Sequence, residues 1–60
     1  MMNLNDFKNA IKDYIINSGQ DVNGWDIDEA AREMRDNYDV ESIDDIEYGE
    51  FITILENHEA

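Results

Sequence analysis

The chain contains no cysteine and no proline, and only four of its sixty residues are Lys or Arg. Without cysteine, neither a disulfide nor a thiolate metal site is available to hold so short a sequence together. Without proline, or any Gly- or Ser-rich stretch, nothing marks an internal linker. There is no apolar run approaching the about 18 residues of a membrane-spanning helix, and the start lacks the basic-then-apolar layout of a signal peptide. The expectation is a cytoplasmic protein without membrane association. The scarcity of cations, Lys8, Lys12, Arg32 and Arg35 alone, also argues against direct nucleic-acid binding. Such binding requires Lys and Arg to displace counterions from phosphates.

What the chain does have is carboxylate, sixteen Asp and Glu for a formal net charge of −12. Sixty residues make one domain, 1–60, at the small end, where folding buries only about 60% of the unfolded surface. Self-repulsion of like charge works against that burial. The hydrophobic fraction of 42% is nevertheless that of a globular chain. With no covalent staple, stability has to come from efficient helix packing, self-association or folding on a partner.

The apolar residues recur at helical spacing. Phe7, Ala10, Ile11, Tyr14 and Ile15 predict an amphipathic helix over 4–18, with Asn3 or Asn5 as its cap and Gly19 as its left-handed stop. Residues 19–25 carry two glycines and read as a turn. Asp26, with Glu29 three positions on, offers a capping box for a second helix over 27–37, whose stripe is Ile27, Ala30, Ala31, Met34 and Tyr38. Tyr48, Phe51, Ile52 and Leu55 predict a third over 47–57. Ser42 with Asp45 offers another start signal, leaving 43–46 either a separate turn or the opening of that helix. Gly49 weakens it by about 1 kcal/mol relative to alanine. The Phe-Ile-Thr-Ile-Leu run at 51–55 also suits a strand, but a lone strand has no partner. The expected fold is all-α, a compact three-helix domain.

Two chemical sites can be tested by spacing. With Gly24 at the invariant sixth position of an EF-hand loop, Gly19, Asp21 and Asn23 fall at positions one, three and five, but Ala30 occupies the position needing a bidentate Glu. Starting at Asp21 instead places Trp25 at a ligand position and Asp26 at the glycine. Both registers fail, so no metal is expected. Catalysis lacks a constellation: His58 is the only histidine, and with no Cys a serine nucleophile to pair with it would have to be Ser18 or Ser42. Asp44-Asp45 would need a concave pocket to separate their pKa values, for which sixty residues leave little room. No enzyme activity and no cofactor are expected, and His58 reads as a residue at the C-terminal end of a helix, favourable to its dipole when protonated.

The carboxylates are unevenly placed. From Asp36 to Ala60 there are nine and not one Lys or Arg. Asp36, Asp39, Glu41, Asp44, Asp45, Glu47 and Glu50 interleave with Tyr38, Val40, Ile43, Ile46, Tyr48 and Phe51, so the charges ride on a segment able to fold. On helix two, Arg32 lies four positions from Asp28 and Asp36, and Arg35 four from Asp39, so both arginines are expected to be locally paired. Glu29 and Glu33 are left on an outer face, while Lys8 and Lys12 form a small basic strip on the first helix. A solvated face is the plainest reading of such a run. Against it stand the size of the excess, its concentration in one half, and its cost to stability. Acids three or four apart on a helix lie about 5–6 Å from each other, a density comparable with DNA's charge per roughly 3.4 Å of each strand. Trp25, just before the second helix, reads as core, and as an interface anchor if exposed.

In size, charge and style, including the opening MNLNDFKNAIKDYI, the chain resembles the small acidic DNA-mimic inhibitors that bacteriophages and mobile elements direct against host defences. These are the anti-CRISPR and anti-restriction proteins. The resemblance implies a non-enzymatic inhibitor that occludes the basic nucleic-acid-binding cleft of a host nuclease or surveillance complex. Its partner-binding residues are then expected to be Glu29, Glu33, Asp36, Asp39, Glu41, Asp44, Asp45, Glu47 and Glu50. The competing expectation is a small adaptor, or a homodimer, that uses an apolar helix face, with acidity serving solubility.

Overall fold

The first helix is set by its own ends. In the computed structural model, which describes all 60 residues, α1 runs Leu4–Asn17 and Asn3 is its cap. The Asn3 side chain accepts the Asp6 N–H at 2.8 Å, and the Asp6 carboxylate accepts the Asn3 N–H at 3.1 Å. Two of the orphan donors at the helix start are thereby satisfied reciprocally. At the other end Gly19 takes φ +80°, the left-handed conformation that lets the chain turn away from the helix without a Cβ clash.

A single 3₁₀ turn, Val22–Gly24, leads to α2, Ile27–Asn37. Its cap is half of the expected box. The Asp26 carboxylate accepts the Glu29 N–H at 3.4 Å, while the Glu29 side chain turns to Arg32 instead of back to the cap. Ala30, Ala31 and Met34 form the inner stripe of α2 and are fully buried. Two alanines on that stripe let α1 approach closely, and α1 against α2 is the most extensive helix contact of the fold.

Residues 38–47 are a second connection, and they settle the alternatives at 43–46. Ile43–Asp45 form a separate 3₁₀ turn, capped where the Ser42 hydroxyl accepts the Asp44 N–H. Ile46 is extended and buried, and α3 begins at Tyr48 and ends at Glu56. The 51–55 run is therefore helical, with Phe51, Ile54 and Leu55 turned inward. The helices match the expected all-α, three-helix arrangement to within a residue at each end.

Ten residues, all hydrophobic, make one core: Phe7, Ile11 and Ile15 from α1, the α2 stripe, Ile46, and the α3 trio. The radius of gyration is 10.3 Å, close to the about 10 Å of a packed chain this long. No buried side-chain N or O lacks a hydrogen-bond partner. Backbone hydrogen bonds fasten both termini. Met2 N–H donates to the Val40 carbonyl at 3.0 Å. The Asp26 N–H donates to the His58 carbonyl and the Ala60 N–H to the Gly24 carbonyl, both at 2.8 Å, pairing Trp25 with Glu59 in an isolated antiparallel bridge.

Candidate functional site

The candidate carboxylates are distributed over four pieces of backbone. Glu29, Glu33 and Asp36 stand on α2. Asp39 and Glu41 follow it in the irregular segment, Asp44 and Asp45 belong to the 3₁₀ turn, and Glu47 and Glu50 open α3. All are exposed except Glu33, which is half-buried. What separates them is how much of their charge is already answered.

Three have a cationic partner, and a fourth, Glu33, has an imidazole. Arg32 approaches Glu29 at 3.9 Å, and Arg35 bonds Asp36 through Nη2 at 3.2 Å and Nε at 3.3 Å. Glu41 meets the Met1 ammonium at 2.7 Å, and Glu33 lies 2.9 Å from His58 Nε2. These partners differ from the pairs four apart that helical spacing predicts, and the reasons are local. Asp39 lies beyond the end of α2, on non-helical backbone, so no helical turn brings it over Arg35. Asp28 is claimed by Lys8, which reaches across from α1 to 2.6 Å. The hydrogen bond from Lys8, then its charge, holds the Asp28 carboxyl below the ordinary aspartate range. Exposed pairs of this kind contribute about 0–1 kcal/mol, so they trim the surface charge more than they stabilise the fold.

Asp39, Asp44, Asp45, Glu47 and Glu50 have no ion-pair partner. Glu47 holds the cap position of α3, yet its side chain makes no capping bond. This group lies within twelve consecutive residues that contain no Lys or Arg.

The carboxylates do not form one continuous cluster. Glu33, Glu47 and Glu50 gather around Tyr38, whose hydroxyl is held above its ordinary range by partial burial and then by the charge of Glu50, with Glu33 and Glu47 adding to it. Asp39 and Glu41 instead surround the Met1 ammonium together with Asp6, and the Glu41 hydrogen bond is the main influence raising that amine's pKa. Asp44 and Glu47 line a different feature, an open groove of about 330 Å³ between α1 and the start of α3. Its floor is apolar and aromatic, built from Ala10, Tyr14, Ile43, Ile46 and Phe51, with the exposed Tyr48 at its edge.

The groove is the feature that spacing alone does not disclose. Tyr14 lies on the apolar stripe of α1, but its ring is only half-buried. It packs edge-on against Phe51 (centroids 5.1 Å apart, 77°) and Tyr48 (6.2 Å, 61°). The Tyr14 and Tyr48 hydroxyls share a 2.8 Å hydrogen bond. That bond first, and then burial, raises the Tyr14 pKa. The pair joins residues 34 positions apart, which is why no local pattern announces it.

His58 lies just beyond Asn57, the C-cap of α3, and its N–H donates to the Leu55 carbonyl in the last turn at 3.0 Å. Its ring is held against Glu33 of α2 while its carbonyl accepts the Asp26 N–H. Trp25 is half-buried and packed against the core, as expected, and is not a free anchor. No three His, Asp or Glu side chains converge in a way that would hold a metal ion. No helix is long and apolar enough to cross a membrane.

Comparison with protein-family models, curated proteins and solved structures finds no match to this chain. Its functional reading therefore rests on its own residues.

Proposed function

We propose that this protein is a non-enzymatic, cytoplasmic inhibitor that binds a basic, nucleic-acid-binding surface of another protein by presenting carboxylates where phosphates would lie. The observation that carries the reading is the uncompensated set Asp39, Asp44, Asp45, Glu47 and Glu50, mounted on ordered backbone and free of capping duty at Glu47. Charge fixed on a folded surface attracts a basic partner at long range and is already oriented on arrival, unlike the charge of a disordered acidic tail. A host-defence nuclease or surveillance complex, of the kind met by anti-CRISPR and anti-restriction proteins, is the proposed partner class. The test is reversal of Asp44, Asp45 and Glu50 to Lys in one variant. Partner binding should be abolished while helicity by circular dichroism stays intact. Unchanged affinity at about 0.15 M salt, where surface charges are screened beyond about 8 Å, would overturn the mechanism.

The aromatic groove favours a second reading, an adaptor that grips its partner through apolar contact. Under it, truncating Tyr48 would abolish binding and reversing the acids would not. Self-association through the same groove is disfavoured, because two copies would bring Asp44 and Glu47 against their counterparts.

A further inference from the structure

We infer that the groove between α1 and the start of α3 is a socket for an arginine side chain carried, next to an aliphatic residue, on the basic partner. The inference rests on the reading above that the partner surface is basic, and it names the contact that would anchor it. At about 330 Å³ the groove lies at the low end of the roughly 300–1,000 Å³ typical of ligand pockets. It suits one or two side chains better than a cofactor. Its materials match a guanidinium and its stem. Tyr14, Tyr48 and Phe51 supply aromatic surface, Ile43 supplies aliphatic surface, and Asp44 and Glu47 supply carboxylates at the rim.

Arginine fits this combination better than lysine. Its planar, weakly hydrated head stacks on aromatic rings and presents forked donors to carboxylates, whereas an ammonium keeps its water more tightly. Both rim acids are free to receive it, since neither Asp44 nor Glu47 is in an ion pair or uses its side chain as a cap. The tyrosine pair is prepared for the role. The shared hydrogen bond ties Tyr48 to Tyr14 although Tyr48 is 66% exposed. One hydroxyl donates to the other, and the lone pairs left on the phenolic oxygens can accept an N–H from a guanidinium. None of the sixty residues enters the groove, and the charge at its rim repels a second copy, a nucleic acid or an anionic membrane. A cationic protein segment is the occupant whose charge complements the rim.

The experiment is a titration of the full chain, followed by backbone amide shifts, with three synthetic peptides. One alternates arginine with leucine, one alternates lysine with leucine, and one is arginine alone at equal charge. The arginine–leucine peptide should shift Ala10, Ile43, Asp44, Glu47 and Phe51 selectively and bind more tightly than its lysine counterpart. Tyr48→Ala should weaken it about fivefold, the scale of one exposed cation–π contact of about 1 kcal/mol. Tyr48→Phe, which keeps the ring, should lose less. Binding of the arginine-only peptide, held by general charge, should be nearly unchanged by Tyr48→Ala. Because Tyr48 is exposed, these variants leave the core untouched.

Shifts spread over all the carboxylates, or equal arginine–leucine affinity in Tyr48→Ala, would overturn the socket. Salt-sensitive binding of the arginine-only peptide would in that case leave the acidic-surface reading standing. Selective groove shifts, together with partner affinity indifferent to Asp39→Lys, Asp45→Lys and Glu50→Lys, which lie outside the groove, would support the socket and defeat the mimicry reading.

Discussion

Neutralising Asp39, Asp44 and Asp45 together, as Asp39→Asn, Asp44→Asn and Asp45→Asn, should make the protein more stable. None of the three side chains makes a hydrogen bond or an ion pair within 4 Å, so little attraction is lost. What is removed is repulsion from the rest of a molecule with net charge −12 and extents of 27 × 21 × 19 Å. At a typical separation of about 15 Å in water, one pair of unit charges costs about 0.3 kcal/mol before screening. With a Debye length of about 8 Å at 0.15 M salt, that falls to about 0.04 kcal/mol, and with about 30 Å at 0.01 M to about 0.2 kcal/mol. Each carboxylate faces an excess of about eleven like charges, giving about 0.5 kcal/mol at the higher salt and about 2 kcal/mol at the lower. An unfolded chain of this length, with a radius near 23 Å, keeps part of the low-salt repulsion, so about 1 kcal/mol per carboxylate remains. The triple variant should therefore gain about 1–1.5 kcal/mol at 0.15 M, or roughly 5–10 °C in Tm, and about twice that at 0.01 M. Thermal melts by circular dichroism at the two salt concentrations measure both numbers. A Tm that stays level or falls at both would refute the claim that this charge is carried against stability.

Met34 is fully buried between the helices, so Met34→Ala should cost about 2–5 kcal/mol of a total near 3–9 kcal/mol for a domain this size. Urea unfolding should then show a chain that is largely unfolded or close to it. Asn3→Ala removes the side-chain acceptor of the Asp6 N–H while the Asn3 N–H can still donate to the Asp6 carboxylate, and it should cost about 1 kcal/mol, lowering Tm by about 4–8 °C. Gly19→Ala forces a Cβ into the left-handed region at φ +80° and should cost about 1–2 kcal/mol, with the loss visible in the same melts. Asp28 has its folded pKa depressed by Lys8. Its contribution is therefore present above the ordinary aspartate value of about 4 and is lost as pH falls through the lower folded value. In Lys8→Gln that acid-side loss should vanish from the pH dependence of Tm, while relief of general repulsion on protonation remains.

The three helices were legible because each has its determinants within its own sequence: a 3.6-residue apolar stripe, Asn3 and Asp26 as caps, and Gly19 as a stop. The 43–46 ambiguity arose because Ser42 caps a 3₁₀ turn with the same residue types that cap an α-helix, and only packing of Ile46 into the core decides between them. The location of the acids was also readable, but the division among them was not. Helical spacing assigns Asp39 to Arg35 only if α2 continues past Asn37. Lys8 reaches Asp28 across a helix interface that no periodicity describes. The Tyr14–Tyr48 groove and the His58–Glu33 contact join residues 34 and 25 positions apart, so each depends on how α1, α2 and α3 come together.

The central claim, that the free carboxylates occupy a nucleic-acid-binding surface, is tested most directly by competition. The protein is immobilised, its partner is captured from a lysate of the cells in which it acts, and duplex DNA is titrated in at about 0.15 M salt. DNA should release the partner in proportion to its concentration, and the Asp44→Lys, Asp45→Lys, Glu50→Lys variant should capture none. A partner that stays bound at saturating DNA, and that the variant captures equally well, would contradict the claim.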